Sequence, residues 1–325
     1  MVPEYLTILL QYISLSDGSL MKWAHFQIIW TAGIGELYMS VADVLNFATK
    51  CKEKGYVCSL KVVIGPDNKY IQNISFFDIF DKAQFSFFNY FIQTNETILS
   101  EKDLNIPAEL SHIFTGVNKD RTYSSLQWSL FSNISNIEQD TAISHLIPMR
   151  PFVEKVGVNP TYTIMPLFTF EIESKAQKYM SKFADIAGIQ FRVHDNNLFK
   201  ETTSFYTKYE RELKDIILAH KNVYITTNCG YLKESLKSYD NILFYEYRYP
   251  DIGKYHTDYH NPELNLVAEK QAANLMDLIA EMCNLKYVSP LYSFNENTWH
   301  SQFLGPALIN RKFGMYHYRC GAVPN

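Results

Sequence analysis

The stretch Ile189-Gln190-Phe191-Arg192-Val193-His194-Asp195 alternates three apolar residues, Ile189, Phe191 and Val193, with Gln190, Arg192 and His194. That is the period of a strand. An arginine, a histidine and an aspartate at the end of such a strand have two readings. As a solvated sheet edge, Arg192 and Asp195 form a surface pair of little energetic consequence. Alternatively, the guanidinium stands where an anion binds, making bidentate contacts to a diphosphate while the nearby carboxylate orients it. Position bears on the choice, because ligands of open parallel sheets sit at the carboxyl ends of the strands.

Other stretches offer chemistry of weaker specificity. Thr31-Ala32-Gly33-Ile34-Gly35-Glu36 is a glycine turn between a strand pattern and a helix pattern. Gly33 and Gly35 let backbone approach a ligand and turn N–H groups toward it. Tyr38 breaks the full GxGxxG pattern. Glu36 stands at the helix start, where the helix dipole favours a carboxylate for structural reasons alone. In Tyr287–Phe303, Ser289, Ser293, Asn295 and Asn297 supply short side chains that either cap a following helix or bond phosphate oxygens. His256, Asp258 and His260 invite a metal, but Asn261-Pro262 just beyond marks a loop, and no metal site is assigned. GxSxG, CxxC and HExxH are absent from the sequence, so hydrolase and zinc-peptidase chemistry has no anchor.

The elements that must hold these residues follow from periodicity. A strand over 25–30, a helix from Leu37 to about Lys54 closed by Gly55, and a strand over 57–64 make a β-loop-α-β unit. Further on, the pattern predicts a helix over 171–183, a strand over 187–193, a helix over 203–220, a strand over 223–226 and a short helix over 230–239. A strand over 242–247, a long helix over 262–284 and a strand over 286–289 complete it. Strands alternating with helices predict parallel, doubly wound sheets. Pro and turn residues near 150–170 place a connection there, which gives an α/β chain of two Rossmann-like domains, 1–160 and 161–325, facing a central cleft. The C-terminal tail is expected to pack back on the first domain. The aromatic run Phe76–Phe91 reads as core, acceptor surface or partner interface, with core favoured.

Composition narrows the class. At 325 residues with 47% hydrophobic and 20% charged residues the chain is a folding protein. Its net charge of -4 speaks against nucleic acid as a partner, because phosphate affinity rests on a positive field. Five cysteines with no CxxC pair predict a reducing compartment, and hence the cytoplasm. The apolar patch at Leu6–Leu10 meets polar residues too soon for a membrane span, and no transmembrane segment is expected.

Gln190 to Asp195, taken with its neighbours in order, resembles the GDP-fucose-dependent fucosyltransferase superfamily. That superfamily's H-x-R-x-x-D motif is matched at Arg192 and Asp195, with Gln190 in place of the leading His. Val223–Tyr239 is similar to a strand ending in Thr-Asp and a short helix, with Asn228 where an Asp is usual. Asn274–Trp299 resembles an acidic helix, a strand and a Ser-x-Phe-Ser-like segment, matched by Ser293 and Phe294 but not by Asn295. Trp30–Ala48 is similar to the Gly-rich loop and helix of the first domain. The resemblance covers mainly 185–303 plus that loop.

It implies a GT-B architecture and an inverting glycosyltransferase that needs no metal or other cofactor and moves fucose from GDP-fucose to a glycan or glycoconjugate hydroxyl. Arg192 would bind the diphosphate and stabilise the leaving group, Asp195 would orient it, and Glu36 would be the base. Gly33, Gly35, Gln190, His194, Asn228, Ser293 and Phe294 would complete the donor site. The alternative is a non-catalytic carbohydrate-binding or scaffold protein on a degenerate transferase fold, which the departures at Gln190, Asn228 and Asn295 motivate.

Overall fold

Phe26 and Ile28, two residues apart in β1 (Trp23–Trp30), are buried on one side of the strand. The structure is a computed structural model that describes residues 23–30, 34–53, 55, 57–64, 74–94, 141–143, 164–193, 202–245, 268–295, 302–309 and 316–320. β1 runs parallel to β2 (Val57–Ile64), with Trp23 opposite Val57 and Trp30 opposite Ile64. Between them α1 (Ile34–Glu53) buries Leu37, Tyr38, Val41, Val44, Leu45 and Ala48, a spacing of three and four that lays one face inward. The helix stops at Gly55, whose φ of 82° is left-handed and whose N–H returns to the Lys52 carbonyl at 2.9 Å. A Cβ there would meet nothing within 4 Å, so conformation rather than room calls for glycine.

The aromatic run is core. Ser75 and Asp78 form a capping box on α2 (Phe76–Ile79), Asp81 caps a 3₁₀ turn at Lys82–Phe85, and β3 (Tyr90–Thr94) follows. Phe76, Phe80, Phe85 and Phe88 are buried beside Tyr38 and Phe168, with Phe80 stacked on Phe168 at 5.6 Å. β4 (Thr141–Ile143) joins the other side of β1, and the first sheet has the parallel order β3-β2-β1-β4.

Side-chain amides tie this half together. Asn46 donates to the Ile164 carbonyl at 2.6 Å and accepts from the Ile164 N–H at 2.9 Å. Gln84 donates to Met165 O at 2.6 Å and accepts from Leu167 N at 2.8 Å. Gln93 accepts from Phe76 N at 2.7 Å and donates to Ile74 O at 3.3 Å. Each amide uses its acceptor and its donor at once on backbone that has no ladder partner there. Residues 164–169 are thereby held on the first half.

The second half opens with α3 (Phe170–Met180), which buries Ile172, Ala176 and Met180. β5 (Ile186–Arg192), β6 (Asn222–Thr227), β7 (Ile242–Phe244), β8 (Leu291–Asn295) and β9 (Tyr316–Cys320) form a sheet of order β7-β6-β5-β8-β9, with every pair parallel. Both faces are covered, as parallel sheets require. On one face Ile189, Phe191, Val193 and Ile225 share a buried cluster with Leu213 and Ile217 of α4 (Thr202–Ala219) and with Leu232 and Leu236 of α5 (Gly230–Leu236). On the other, Ile186, Tyr224 and Leu291 meet the layer of α3 and α6 (Ala268–Asn284).

One predicted element moves. Residues 286–289 are not a strand; a 3₁₀ turn spans Leu285–Tyr287 and the strand is β8, starting at Leu291. Ser289 N–H donates to Ile186 O at 2.8 Å and the Pro290 carbonyl accepts from Gly188 N–H at 2.7 Å. The chain is thus already bonded to β5 across Pro290, which has no N–H of its own, before regular pairing starts. Lys286 meanwhile turns inward to Glu173 at 2.5 Å. Gly188 allows the close approach, because a Cβ on it would lie 2.5 Å from Val288 Cγ2.

The apolar cluster of the first sheet continues without interruption through Phe168 and α3 into α6, and it also takes in Leu304 and Ala307 from a 3₁₀ turn at Gln302–Leu304 and α7 (Gly305–Ile309). Tyr38 sits at this junction, its hydroxyl donating to Pro166 O at 3.2 Å and its ring 6.0 Å from Lys286 Nζ. No described helix is long and apolar enough to cross a membrane.

Candidate functional site

In each sheet the chain winds from the central strand first to one side and then to the other, so β1/β4 and β5/β8 are the two switch points. Crevices open at such points, outside the carboxyl ends of the strands. Arg192 ends β5 there, opposite Asn295, which ends β8. In an otherwise buried strand Arg192 is the half-buried position.

Strand alternation puts residues two apart on one face, so the floor beneath Arg192 can be read row by row. Nearest the strand starts, Gly188 lies between Tyr224 and Leu291; next, Gln190 lies between Thr226 and Ser293; last, Arg192 adjoins Asn295. The middle row is polar and buried, with Gln190 3%, Thr226 2% and Ser293 0% exposed. Ser293 Oγ donates to Gln190 Oε1 at 2.9 Å. Thr226 Oγ1 is buried with no hydrogen-bond partner among the described residues. The face thus turns from apolar to hydrogen-bonding toward its carboxyl edge and ends in one cation beside a carboxamide. Uncharged hydrogen-bonding groups under a guanidinium suit an anionic, hydroxylated ligand.

The structure brings Gln190, Arg192, Ser293 and Asn295 onto this face and adds Thr226. Phe294, grouped with Ser293 by the motif, lies on the opposite face, because neighbours in a strand alternate. Its ring is fully buried, 5.3 Å from Tyr209 and 6.2 Å from Phe191. Asn228 follows β6 and is turned to Val193, with both amide atoms on its backbone. Gly35 is buried in the first turn of α1, at the other sheet's switch point. Glu36 is the third residue of that helix, and its side chain lies outside the described residues, as do Gly33, His194, Asp195 and the His256–His260 stretch. Among the described residues no group of three His, Cys, Asp or Glu side chains could hold a metal. Thr226 could be reached from sequence only by registering β6 on β5, which sets it against Gln190.

Against the lower row of this same face, at Tyr224, α6 presents Asp277, Glu281 and Asn284, all buried. Asp277 pairs with Lys175, and Asn284 Nδ2 donates to Tyr224 OH at 3.1 Å. Burial pushes the Glu281 carboxyl well above the usual carboxylate range, against the pull of Lys233. Between the unfolded carboxylate pKa and that raised folded value the native state holds the extra proton, so stability is expected to fall as pH rises through this window. Glu281→Gln is expected to flatten that slope in urea titrations at several pH values and to stabilise the protein at neutral pH. A slope unchanged in the variant would assign the dependence elsewhere.

No protein-family model matches the chain, and no curated protein sequence matches it. Solved structures do. The crystal structure of the fucosyltransferase NodZ from Bradyrhizobium aligns with a TM-score of 0.50 at 12% identity, covering 90% of this chain and 93% of that one. NodZ alpha-1,6-fucosyltransferase soaked with GDP-fucose aligns with a TM-score of 0.48 at 11% identity, covering 89% and 92%. With its parallel sheets, each wound both ways from a central strand, the chain has a fucosyltransferase-like GT-B fold.

Proposed function

We propose that the protein is an inverting glycosyltransferase that moves a sugar, fucose from GDP-fucose, to the hydroxyl of a glycan or glycoconjugate. The observation that carries this reading is the place of Arg192: the last residue of the central strand, half-buried, at the switch point of a sheet ordered β7-β6-β5-β8-β9. The fold shared with a fucosyltransferase and the motif order supply the donor class. In the proposal, residues 161–325 bind the nucleotide sugar and residues 1–160 the acceptor. The reaction takes place in the cytoplasm, a setting supported by the odd number of cysteines and the lack of any CxxC pair in the sequence.

Sugar transfer leaves a nucleoside diphosphate, whose bridging oxygen gains negative charge as the glycosidic bond breaks. A guanidinium fixed beside that oxygen stabilises the transition state more than the ground state, and this differential interaction is what accelerates the step. Arg192 carries this role without a metal or other cofactor. The acceptor oxygen attacks from the opposite face of the sugar and loses its proton to a base, for which Glu36 is the proposed group. His194 and Asp195, directly after Arg192, complete the donor contacts, with Asp195 holding the guanidinium. Gly33 and Gly35 let the first half's turn come close to the donor.

Calorimetric titration with GDP, UDP and ADP tests the reading. GDP is expected to bind more tightly than the other two, and binding by none of them would remove it. A non-catalytic carbohydrate-binding protein or scaffold is the second reading. It is favoured by the Ser293–Gln190 bond, in which two residues assigned to the donor satisfy each other. Slow release of free sugar from GDP-fucose without acceptor separates the two, since only an enzyme hydrolyses its donor.

A further inference from the structure

Regular pairing of β5 with β6 ends at Phe191 opposite Thr227. The chain then leaves the sheet: Cys229 N–H donates to Thr227 Oγ1 at 3.0 Å and α5 begins at Gly230. Val193, the residue after Arg192, is left without a backbone ladder partner on that side. The side chain of Asn228 takes the partner's place. Its Oδ1 accepts from Val193 N–H at 3.0 Å and its Nδ2 donates to the Val193 carbonyl at 2.8 Å. Asn228 is only 7% exposed, and the Val193 side chain is fully buried in the α4–α5 cluster.

We infer that Asn228 is a positioning residue for Arg192, clamping the backbone on its carboxyl side so that the guanidinium is held in place before an anion arrives. The inference rests on the nucleotide-diphosphate reading of the site. It reassigns Asn228 from donor contact to support, because both of its polar atoms are turned to Val193 and the residue is only 7% exposed. Arg192 then lies between two fully buried residues, Phe191 and Val193, with its peptide bonds fixed on both sides. A group whose own geometry is locked gives up less freedom when it binds.

The chemistry demands an amide. A carboxylate at 228 would still accept from Val193 N–H, but it would set an anionic oxygen against the Val193 carbonyl, where the amide now donates. Protonation restores a donor, and burial raises the pH at which a carboxyl accepts its proton. The substitution Asn228→Asp therefore has a signature of its own. Relative to the parent at the same pH, its affinity for GDP is expected to be about tenfold weaker near pH 8 and to return to within about threefold near pH 5.5. Asn228→Ala is expected to lose affinity equally at both. In an Arg192→Ala background, Asn228→Asp should weaken GDP binding by less than about twofold.

Calorimetry provides the affinities, and hydrogen exchange of the peptide spanning 191–195 reports the clamp directly, with faster exchange expected in Asn228→Asp near pH 8 only. Should the aspartate variant not fold at that pH, Asn228→Ala, which removes both bonds without adding a charge, carries the test, its loss of affinity again expected only when Arg192 is present. Faster exchange with GDP affinity equal to the parent's at both pH values would make the clamp purely structural and overturn the inference. So would a loss that is undiminished in the Arg192→Ala background. A parent protein that binds no nucleoside diphosphate would overturn the reading beneath it, and this inference with it.

Discussion

Arg192→Ala is expected to lower kcat for sugar release from GDP-fucose by about 10³-fold while weakening GDP binding by only about tenfold. The asymmetry is the point of the prediction. In the bound donor the diphosphate charge is spread over several oxygens and met by several groups, whereas in the transition state new charge gathers on the one oxygen that is leaving. A guanidinium beside it is worth about 4 kcal/mol there, the equivalent of 10³ in rate. Stability should change little, because Arg192 is half-buried and its strand is paired on both sides by β6 and β8. Arg192→Lys keeps the charge but loses the planar fork, so an intermediate loss of about 10- to 100-fold is expected. Single-turnover release of nucleotide, with far-UV circular dichroism as the control, makes the measurement. Near-normal kcat in Arg192→Ala would remove Arg192 from the mechanism.

The largest loss of stability is expected from Glu173→Ala, at about 3 kcal/mol. Glu173 on α3 accepts from Lys286 Nζ at 2.5 Å, from Cys283 Sγ at 3.2 Å and from Tyr287 OH at 3.3 Å. The Lys286 side chain is 9% exposed and Glu173 24%, so the ammonium is nearly out of water and the carboxylate is its counter-charge. Removing the carboxylate strands a buried cation between Phe168 and Tyr38, and the cost falls on the layer joining the first half to α6. Truncating Cys283 or Tyr287 loses only a neutral donor and should cost less. Replacing the ion pair by Glu173→Leu with Lys286→Met should be milder than Glu173→Ala alone, because desolvation of both charges is relieved together. Urea midpoints decide it. A Glu173→Ala variant within about 0.5 kcal/mol of the parent would mean that the pair behaves as a solvated one.

Much of this architecture is legible in the sequence, and the exceptions share a cause. Alternation in Ile189–Val193 and the helical spacing of Leu37, Val41, Val44 and Ala48 report local burial, and both elements formed where the period says. Even the face of each residue was available: Ser293 and Phe294 are neighbours, so one of them had to turn away from Arg192. What could not be read depends on partners far along the chain. Lys286 looks like the start of a strand until Glu173, 113 residues earlier, draws it inward. Thr226 is one more threonine until β6 sets it beside Gln190. Asn228 reads as a lost aspartate until Val193, 35 residues earlier, uses both ends of its amide. The aromatic run kept three meanings in sequence because composition reports apolar area and not what covers it; the packing of Phe76, Phe80 and Phe85 left core as the answer.

The paired bonds of Asn46, Gln84, Gln93 and Asn228 have a consequence for the lifetime of the protein. Neutral amides are indifferent to ionic strength and to ordinary changes of acidity, so these segments keep their register where ion pairs would loosen. They are, however, open to slow deamidation, above all on heating. Each such event turns an NH₂ that faces a carbonyl into an anionic oxygen, and so converts a fastening into a repulsion. Ageing of the protein at elevated temperature is therefore expected to include covalent decay at a few amides once heat loosens the backbone around them.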